Sequence, residues 1–166
     1  MNSMLRGVVA GAVGTLALDI VTYGDMVLRG RGSSDTPAQL AGKLTDALGI
    51  PLTDEAGDEG KTQAENRKSG IGALLGYGTG IGIGIASVLL PSGTQRQPVL
   101  ARGLAVGLAA MAASDVPIVA SGLSDPRTWG ASGWLGDLIP HVVYGLVTVL
   151  VADALLPASP RVAVAM

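Results

Sequence analysis

Four apolar stretches of about 20 residues alternate with polar segments along the chain. They cover residues 7–28, 70–90, 103–123 and 138–156, and few charged residues interrupt them. Because a helix needs about 20 apolar residues to cross the hydrocarbon core of a bilayer, each stretch predicts one transmembrane helix. We therefore expect residues 1–166 to form a single all-α membrane domain with four spans.

The composition agrees with a membrane location. Hydrophobic residues make up 48% and charged residues 14% of the 166 positions, which leaves too little polar surface to cover four apolar helices in water. The net charge of -2, without a run of Lys or Arg, argues against nucleic acid as a partner. The absence of Cys excludes disulfides and thiolate chemistry. We expect the lipid bilayer as a partner, together with a second copy of the chain or another membrane protein.

One long polar segment, residues 29–69, separates the first two spans. Leu40, Leu44 and Leu48 recur in it every four residues, which predicts a short amphipathic helix on the membrane surface. The acidic stretch that follows, residues 52–68, predicts a flexible linker with a solvated face, and a specific acidic binding site is the alternative.

The charged residues also predict how the chain inserts. Asp19 and Asp25 interrupt the place where a signal-peptide cleavage site would lie, so we expect the first helix to be retained. The first and third loops hold more basic residues than the termini and the second loop, which places the long loop in the cytoplasm. The two sets are Arg29, Arg31, Lys43, Lys61, Arg67, Lys68 and Arg127 against Arg6, Arg96, Arg102 and Arg161.

An internal repeat relates the first span to the third. A shift of 96 positions matches Arg6 with Arg102 and Asp19 with Asp115. The second and fourth spans share a Tyr-Gly pair and, with one residue's shift, a second block. The matched residues are Tyr77, Gly78, Ala86, Leu89, Leu90 and Pro91 against Tyr144, Gly145, Ala152, Leu155, Leu156 and Pro157. The matches predict two tandem, parallel-related hairpins, with coincidence in a Gly-rich chain as the alternative.

Glycines recur at four-residue intervals within the spans. Small residues let helix backbones approach closely, which drives helix association in lipid. We interpret these glycines as a glycine zipper that packs one bundle, and contact between subunits of a homo-oligomer is the alternative. They are Gly72, Gly76, Gly80 and Gly84 in the second span, Gly7 and Gly11 in the first, and Gly103 and Gly107 in the third.

The ionisable residues of the spans are expected to meet at one depth. Asp19 and Asp115 each lie thirteen residues beyond an arginine at the membrane edge, which is about 20 Å along a helix. His141 enters the same leaflet from the other direction. The predicted cluster consists of Asp19, Asp115, His141, Tyr77 and Tyr144, with Tyr23 and Asp25 closer to the surface. Two carboxyl groups at one depth in a bundle cannot both be charged cheaply, so we expect them to share a proton.

This cluster is typical of proton relays and ion pathways. The preferred function is therefore a small proton-linked transporter or channel. The alternative is a non-catalytic assembly or accessory subunit, packed through its glycines, in which the polar groups only fix helix register. We expect no enzyme, no metal site and no cofactor, because the lone His141 has no nucleophile beside it and no close-spaced ligand motif occurs.

Two features frame the last span. The connection over residues 124–136 carries Trp129 and Trp134, which predicts an anchor at the membrane interface, with a gate as the alternative. Pro140 is expected in the first turn of the span, where proline costs little. Pro117 predicts a kink in the third span.

The final helix, with Trp134, Leu135, His141, Tyr144 and Gly145, resembles that of bacterial YagU-type inner-membrane proteins, a family associated with acid tolerance. The Gly-rich opening helix, which bears an Asp, contributes to the resemblance. The likeness covers about a third of the chain and does not include the long acidic loop. It implies a multi-pass protein of the plasma (inner) membrane.

Overall fold

Helices account for all of the regular structure in residues 1–156, which are the residues that the computed structural model describes. Pro157 and Arg161, which enter the repeat and the charge count, lie outside the described residues. The helices are α1 (Ser3–Arg29), α2 (Thr36–Ala47), α3 (Gly57–Leu89), α4 (Ser92–Gln95), α5 (Val99–Ala120) and α6 (Gly130–Ala154), with a 3-10 turn at Pro126–Thr128.

Four of these helices, α1, α3, α5 and α6, are long and apolar enough to cross a membrane. Large aliphatic side chains such as Leu16, Leu74, Leu104 and Leu150 are exposed on their outer surfaces, where water would have to cover them in a soluble protein. This finding agrees with the prediction of an all-α membrane protein with four spans.

The helices pack as an antiparallel bundle with α1 and α6 at its centre. α1 lies against α3 and α6, and α6 lies against α5. Arg6, at the start of α1, and Arg102, at the start of α5, line one cavity, so both helices begin at the same end of the bundle. We call this end the Arg6 face and the opposite end the Asp137 face.

Glycines hold two of the helix pairs at backbone contact. A Cβ atom at Gly84 of α3 would lie 2.5 Å from Gly11 Cα in α1, and one at Gly145 of α6 would lie 2.8 Å from Gly107 Cα in α5. Gly7 and Gly103 belong to the same contacts. No side chain fits at such distances, so each pair has a seam in which only glycine is possible.

The glycines predicted along α3 divide between three surroundings. Gly80 and Gly84 face α1, and Gly72 packs against the backbone of Pro37 beside α2. A Cβ atom at Gly76 would have no neighbour within 4 Å. The four glycines therefore do not form one continuous contact with a single helix.

The contacts do not place the two Tyr-Gly pairs at equivalent positions. Gly84 occupies in the α1–α3 pair the place that Gly145 occupies in the α5–α6 pair, 61 positions later, whereas the Tyr-Gly pairs are 67 positions apart. Tyr77 is 45% exposed, while Tyr144 is 1% exposed. The match between the second and fourth spans is thus out of register with the packing.

The prediction of a flexible linker over residues 52–68 is wrong from Gly57 onward, because α3 begins there. Asp58 in the first turn is favourable at the positive end of the helix dipole. Lys61 pairs with Asp58 at 3.1 Å, and Lys68 with Glu65 at 2.7 Å. Such ion pairs stabilise the N-terminal part of α3, which lies outside the apolar stretch.

The predicted amphipathic helix in the polar segment is confirmed as α2. Its buried residues, Ala41, Gly42 and Thr45, face α3, whereas Leu44 and Leu48 are exposed on another side. Lys43 donates a hydrogen bond from Nζ to the Ser121 carbonyl at 2.5 Å. These contacts fix α2 at the Asp137 face.

α6 begins eight residues earlier than the predicted span. Trp134 is therefore part of the helix, and its ring lies 4.9 Å from that of Trp129, centroid to centroid. Pro140 lies in the interior of α6, so its predicted place in the first turn is wrong. Gly130, with φ of 62°, starts the helix sooner than the apolar pattern indicates.

Candidate functional site

Two carboxyl groups and an imidazole come together near the Asp137 face. His141 Nδ1 lies 2.9 Å from the Asp137 carbonyl oxygen and 3.2 Å from its Oδ1. The carboxyl group of Asp115, on α5, is close enough to interact with both residues. We call Asp115, Asp137 and His141 the acid–histidine group. Its residues come from α5 and α6.

Most of this group is withdrawn from solvent. His141 is only 9% exposed, and Asp115 is half-buried. Asp137 Oδ2 is buried and receives no hydrogen bond within residues 1–156. Because an ionised carboxylate only accepts hydrogen bonds, the neighbouring Asp115 cannot satisfy this oxygen unless one of the two carboxyl groups carries a proton.

A proline lies near the acid–histidine group in each of its two helices. Pro117 lies inside α5, two residues after Asp115, and Pro140 lies inside α6, three residues after Asp137. A proline in a helix interior removes one backbone hydrogen bond and frees the carbonyl of the preceding turn. Freed carbonyls beside a polar group are typical of membrane sites that hold water or ions.

The other predicted acids lie elsewhere. Asp19 accepts a hydrogen bond from the Tyr77 hydroxyl at 2.9 Å, and Tyr23 is near this pair. Asp25 pairs with Arg31 at 2.5 Å and with Arg29 at 3.6 Å. Within residues 1–156 the structure records no contact between Asp19 and Asp115. The seven predicted residues therefore do not form one cluster.

Tyr144 belongs to the core of the bundle. Its hydroxyl donates to the Gly80 carbonyl at 2.6 Å, which ties α6 to α3. Thr148 follows one turn later and is fully buried. Asp137, His141, Tyr144 and Thr148 are spaced by three or four residues, so they lie on one face of α6.

A second polar site lies at the Arg6 face, in the cavity between Arg6 and Arg102. Arg102 Nη1 donates to Asp153 Oδ1 at 3.0 Å, and its Nη2 pairs with the other carboxylate oxygen. Arg6 is 8% exposed, and its Nε has no hydrogen-bond acceptor among the described residues. The sequence identifies both arginines as membrane-edge residues but gives no sign that they share a cavity.

Asp137 is the site residue that the sequence analysis missed. It lies four residues before His141, a spacing that brings two side chains together on a helix. The predicted span began at residue 138, one position too late to include it. An extension of the helix toward Gly130 would have revealed the pair.

Within the described part of the chain, no three His, Asp or Glu residues are arranged to hold a metal ion. The comparisons with protein families, with curated proteins and with solved structures found no match to this chain. The resemblance to YagU-type proteins therefore stays a prediction, and the function has to be argued from the geometry of the site.

Proposed function

We propose that this integral membrane protein transfers protons, alone or with a small solute, by way of the acid–histidine group. The observation that carries the proposal is that Asp115 lies close enough to interact electrostatically with the Asp137–His141 pair, inside two helices that are long enough to span a membrane. Ionisable groups are costly in a bilayer, so they are rarely kept there without a role.

The chemistry of the group suits a proton. Two neighbouring carboxyl groups resist being charged together, and a proton between them gives Asp137 Oδ2 the donor that it lacks. His141 Nδ1 faces the Asp137 carbonyl oxygen and Oδ1, which both accept, so Nδ1 carries the hydrogen and Nε2 is the nitrogen that can take up a further proton. The imidazole can therefore take up a proton at Nε2 and release its Nδ1 proton to the Asp137 carboxylate, so a proton passes between the acid pair and the far side of the ring without crossing an apolar gap.

The polar side chains along α6 provide a path for the proton. Tyr144 and Thr148 continue from His141 into the core, and Asp153 lies at the Arg6 face. Asp137 and Asp153 are sixteen residues apart, which is about 24 Å along the helix. This distance is most of the thickness of the hydrocarbon core, about 30 Å.

The test is proton flux into sealed vesicles that contain the purified protein and a trapped pH-sensitive dye. With a potassium gradient and valinomycin as the driving force, we expect the wild type to acidify the lumen. Asp115→Asn should slow this flux about a hundredfold, because proton transfer loses a positioned carboxyl group. Asp19→Asn is the matched control, since Asp19 is the repeat counterpart of Asp115 but interacts with Tyr77.

Equal flux for the wild type and Asp115→Asn would reject the proposal. Equal losses in Asp115→Asn and Asp19→Asn would also count against the acid–histidine group, because they would indicate a general effect of removing charge. Circular dichroism of each variant in the same detergent provides the check on folding.

A second candidate is the assembly or accessory subunit, and an exposed surface of α3 favours it. Gly78, Gly82 and Ala86 recur every four residues on the outside of the bundle. Cβ atoms at Gly78 and Gly82 would meet nothing within 4 Å, so another helix could approach closely there. In this case Gly82→Leu should convert an oligomer to monomer in light scattering, while vesicles with the wild type conduct no protons.

We also propose that α1–α3 and α5–α6 are tandem, parallel-related units and that the long loop is cytoplasmic in the plasma membrane. The shared cavity of Arg6 and Arg102 supports the parallel relation, and the excess of basic residues supports the orientation. Since the chain has no Cys, Thr62→Cys gives a single reporter on α3. A membrane-impermeant maleimide should label it only in permeabilised cells.

A further inference from the structure

We infer that the cavity between Arg6 and Arg102 is a binding site for a phosphate-type oxyanion, and that in the membrane this anion is the phosphate of an acidic lipid headgroup. The proposal concerns the Arg6 face, at the opposite end of the bundle from the acid–histidine group. It does not depend on proton transfer.

Arg6 is the first reason to expect an anion. Its side chain is 92% buried, which follows from an exposed fraction of 8%, and its Nε has no hydrogen-bond acceptor among the described residues. No carboxylate in residues 1–156 pairs with it. A buried guanidinium without a counter-charge is strongly unfavourable, and the Arg6 side chain lies within the bundle, whereas a long basic side chain usually keeps its charged end in water. An anion that enters the cavity would remove this cost.

The charge balance of the cavity gives the number of anions. Arg102 has Asp153 as its carboxylate partner, while its Nε is also buried without an acceptor. Two guanidinium groups and one carboxylate leave one positive charge in excess. A single oxyanion between Arg6 and Arg102 would balance this charge and accept from both Nε atoms, in the planar geometry that arginine offers to phosphate.

The dimensions of the cavity fit a small group. Its volume is about 60 Å³, whereas one water molecule needs about 10–15 Å³ on the same scale. Ser87, Thr94 and Gln97 contribute polar side chains, and Val106 and Val149 form part of the apolar lining. The space holds a phosphate group and excludes a bulky solute.

The position of the cavity favours a lipid as the source of the phosphate. Arg6 is the fourth residue of α1 and Arg102 the fourth residue of α5, so both lie within one turn of the helix ends. Lipid phosphates lie at this level of a bilayer. Leu90 and Ala105 extend the apolar part of the lining to the exposed surface of the bundle, along which an acyl chain would run.

The test is lipid binding to the detergent-purified protein, measured by native mass spectrometry and by the shift in thermal unfolding. The probes are dioleoyl phosphatidylglycerol, dioleoyl phosphatidylcholine and inorganic phosphate. We expect the wild type to prefer phosphatidylglycerol. Arg6→Gln should weaken its binding at least about tenfold, which is the loss expected for a charge-assisted hydrogen bond. Arg96→Gln, an exposed arginine at the same face and outside the cavity, should leave the affinity unchanged.

Ser87→Asp is an independent variant that keeps both arginines. Ser87 lines the same cavity, and a carboxylate there would act as an internal counter-ion for Arg6. We expect this variant to lose the preference for phosphatidylglycerol and to unfold at a higher temperature than the wild type in lipid-free detergent. It therefore separates loss of the site from loss of the fold.

Equal affinity of the wild type, Arg6→Gln and Ser87→Asp for phosphatidylglycerol would overturn the site. Inorganic phosphate that stabilises the wild type as well as phosphatidylglycerol does, with the same dependence on Arg6, would keep the oxyanion site but reject a lipid as its ligand. Equal losses in Arg6→Gln and Arg96→Gln would reduce the effect to surface charge and overturn the proposal.

Discussion

The α1–α3 pair and the α5–α6 pair have the same kind of glycine contact but different polar residues. Gly84 lies against Gly7 and Gly11 in the first pair, and Gly145 lies against Gly103 and Gly107 in the second. In both pairs, glycine has no side chain to keep the helices apart, so the two backbones come into contact.

The polar residues of the two pairs do not follow this likeness. Asp19 accepts a hydrogen bond from a half-exposed tyrosine, whereas Asp115, its match in the sequence repeat, is close enough to a second acid and a buried imidazole to interact with both. α1 and α3 contain no proline, while α5 and α6 each contain one beside the acids. Equivalent packing therefore does not imply equivalent chemistry, and experiments can separate the two.

Substitutions in the glycine seams should cause the largest changes in the free energy of unfolding. Gly84→Ala and Gly145→Ala place a methyl group against backbone that cannot move aside, and each should lower the free energy of unfolding by about 3 kcal/mol. Gly82→Ala is the matched control on α3, because its Cβ atom meets open space. It should be neutral or stabilising by up to about 1 kcal/mol. Unfolding by SDS titration measures all three, and similar values for Gly84→Ala and Gly82→Ala would contradict the seam.

Variants at the two arginine sites, Asp153→Asn and Arg6→Gln, should show the second-largest difference in stability. Asp153→Asn leaves the largely buried Arg102 without its carboxylate, and we expect a loss of about 2 kcal/mol because the pair is only partly exposed. Arg6→Gln removes a charge that has no carboxylate partner in the described residues, so it should cost no stability in lipid-free detergent. If both variants lost the same stability, the asymmetry between the two halves would be wrong.

The two tyrosines should show the smallest difference. Tyr144→Phe leaves the Gly80 carbonyl without its hydroxyl donor in the core, and we expect a loss of about 1 kcal/mol. Tyr77→Phe removes an exposed hydrogen bond to Asp19 and should change stability by less than about 0.5 kcal/mol. The same SDS titration measures both variants. A larger loss of stability for Tyr77→Phe than for Tyr144→Phe would contradict the conclusion that Tyr144 makes the stabilising hydrogen bond.

The four spans could be predicted because an apolar run is a local property of the sequence. The helix starts could not, since α3 and α6 continue into polar residues where capping, ion pairs and a glycine with positive φ decide the boundary. Asp137 was missed for this reason. Hydrophobicity indicates which part of a helix crosses the bilayer, but it does not indicate how far the helix continues outside the bilayer.

The candidate site illustrates a second limit. Depth along a helix follows from counting residues, so Asp115 and His141 could be assigned to one level. Rotation about the helix axis depends on which surfaces pack together, and it directs Asp19 toward Tyr77 instead. The charge balance at Arg6 could not be predicted from the sequence either, because its cavity is lined by residues from five helices.

α3 has 33 residues, so at 1.5 Å per residue it is about 50 Å long, roughly 20 Å more than the hydrocarbon core. The polar N-terminal part of α3 forms a stalk beyond the apolar part of the helix, and α2 packs against α3. The stalk and the Gly84 seam belong to one uninterrupted helix. A sideways force on the tip of the stalk therefore acts as a lever on the Gly84 seam, 24 residues away from Gly60.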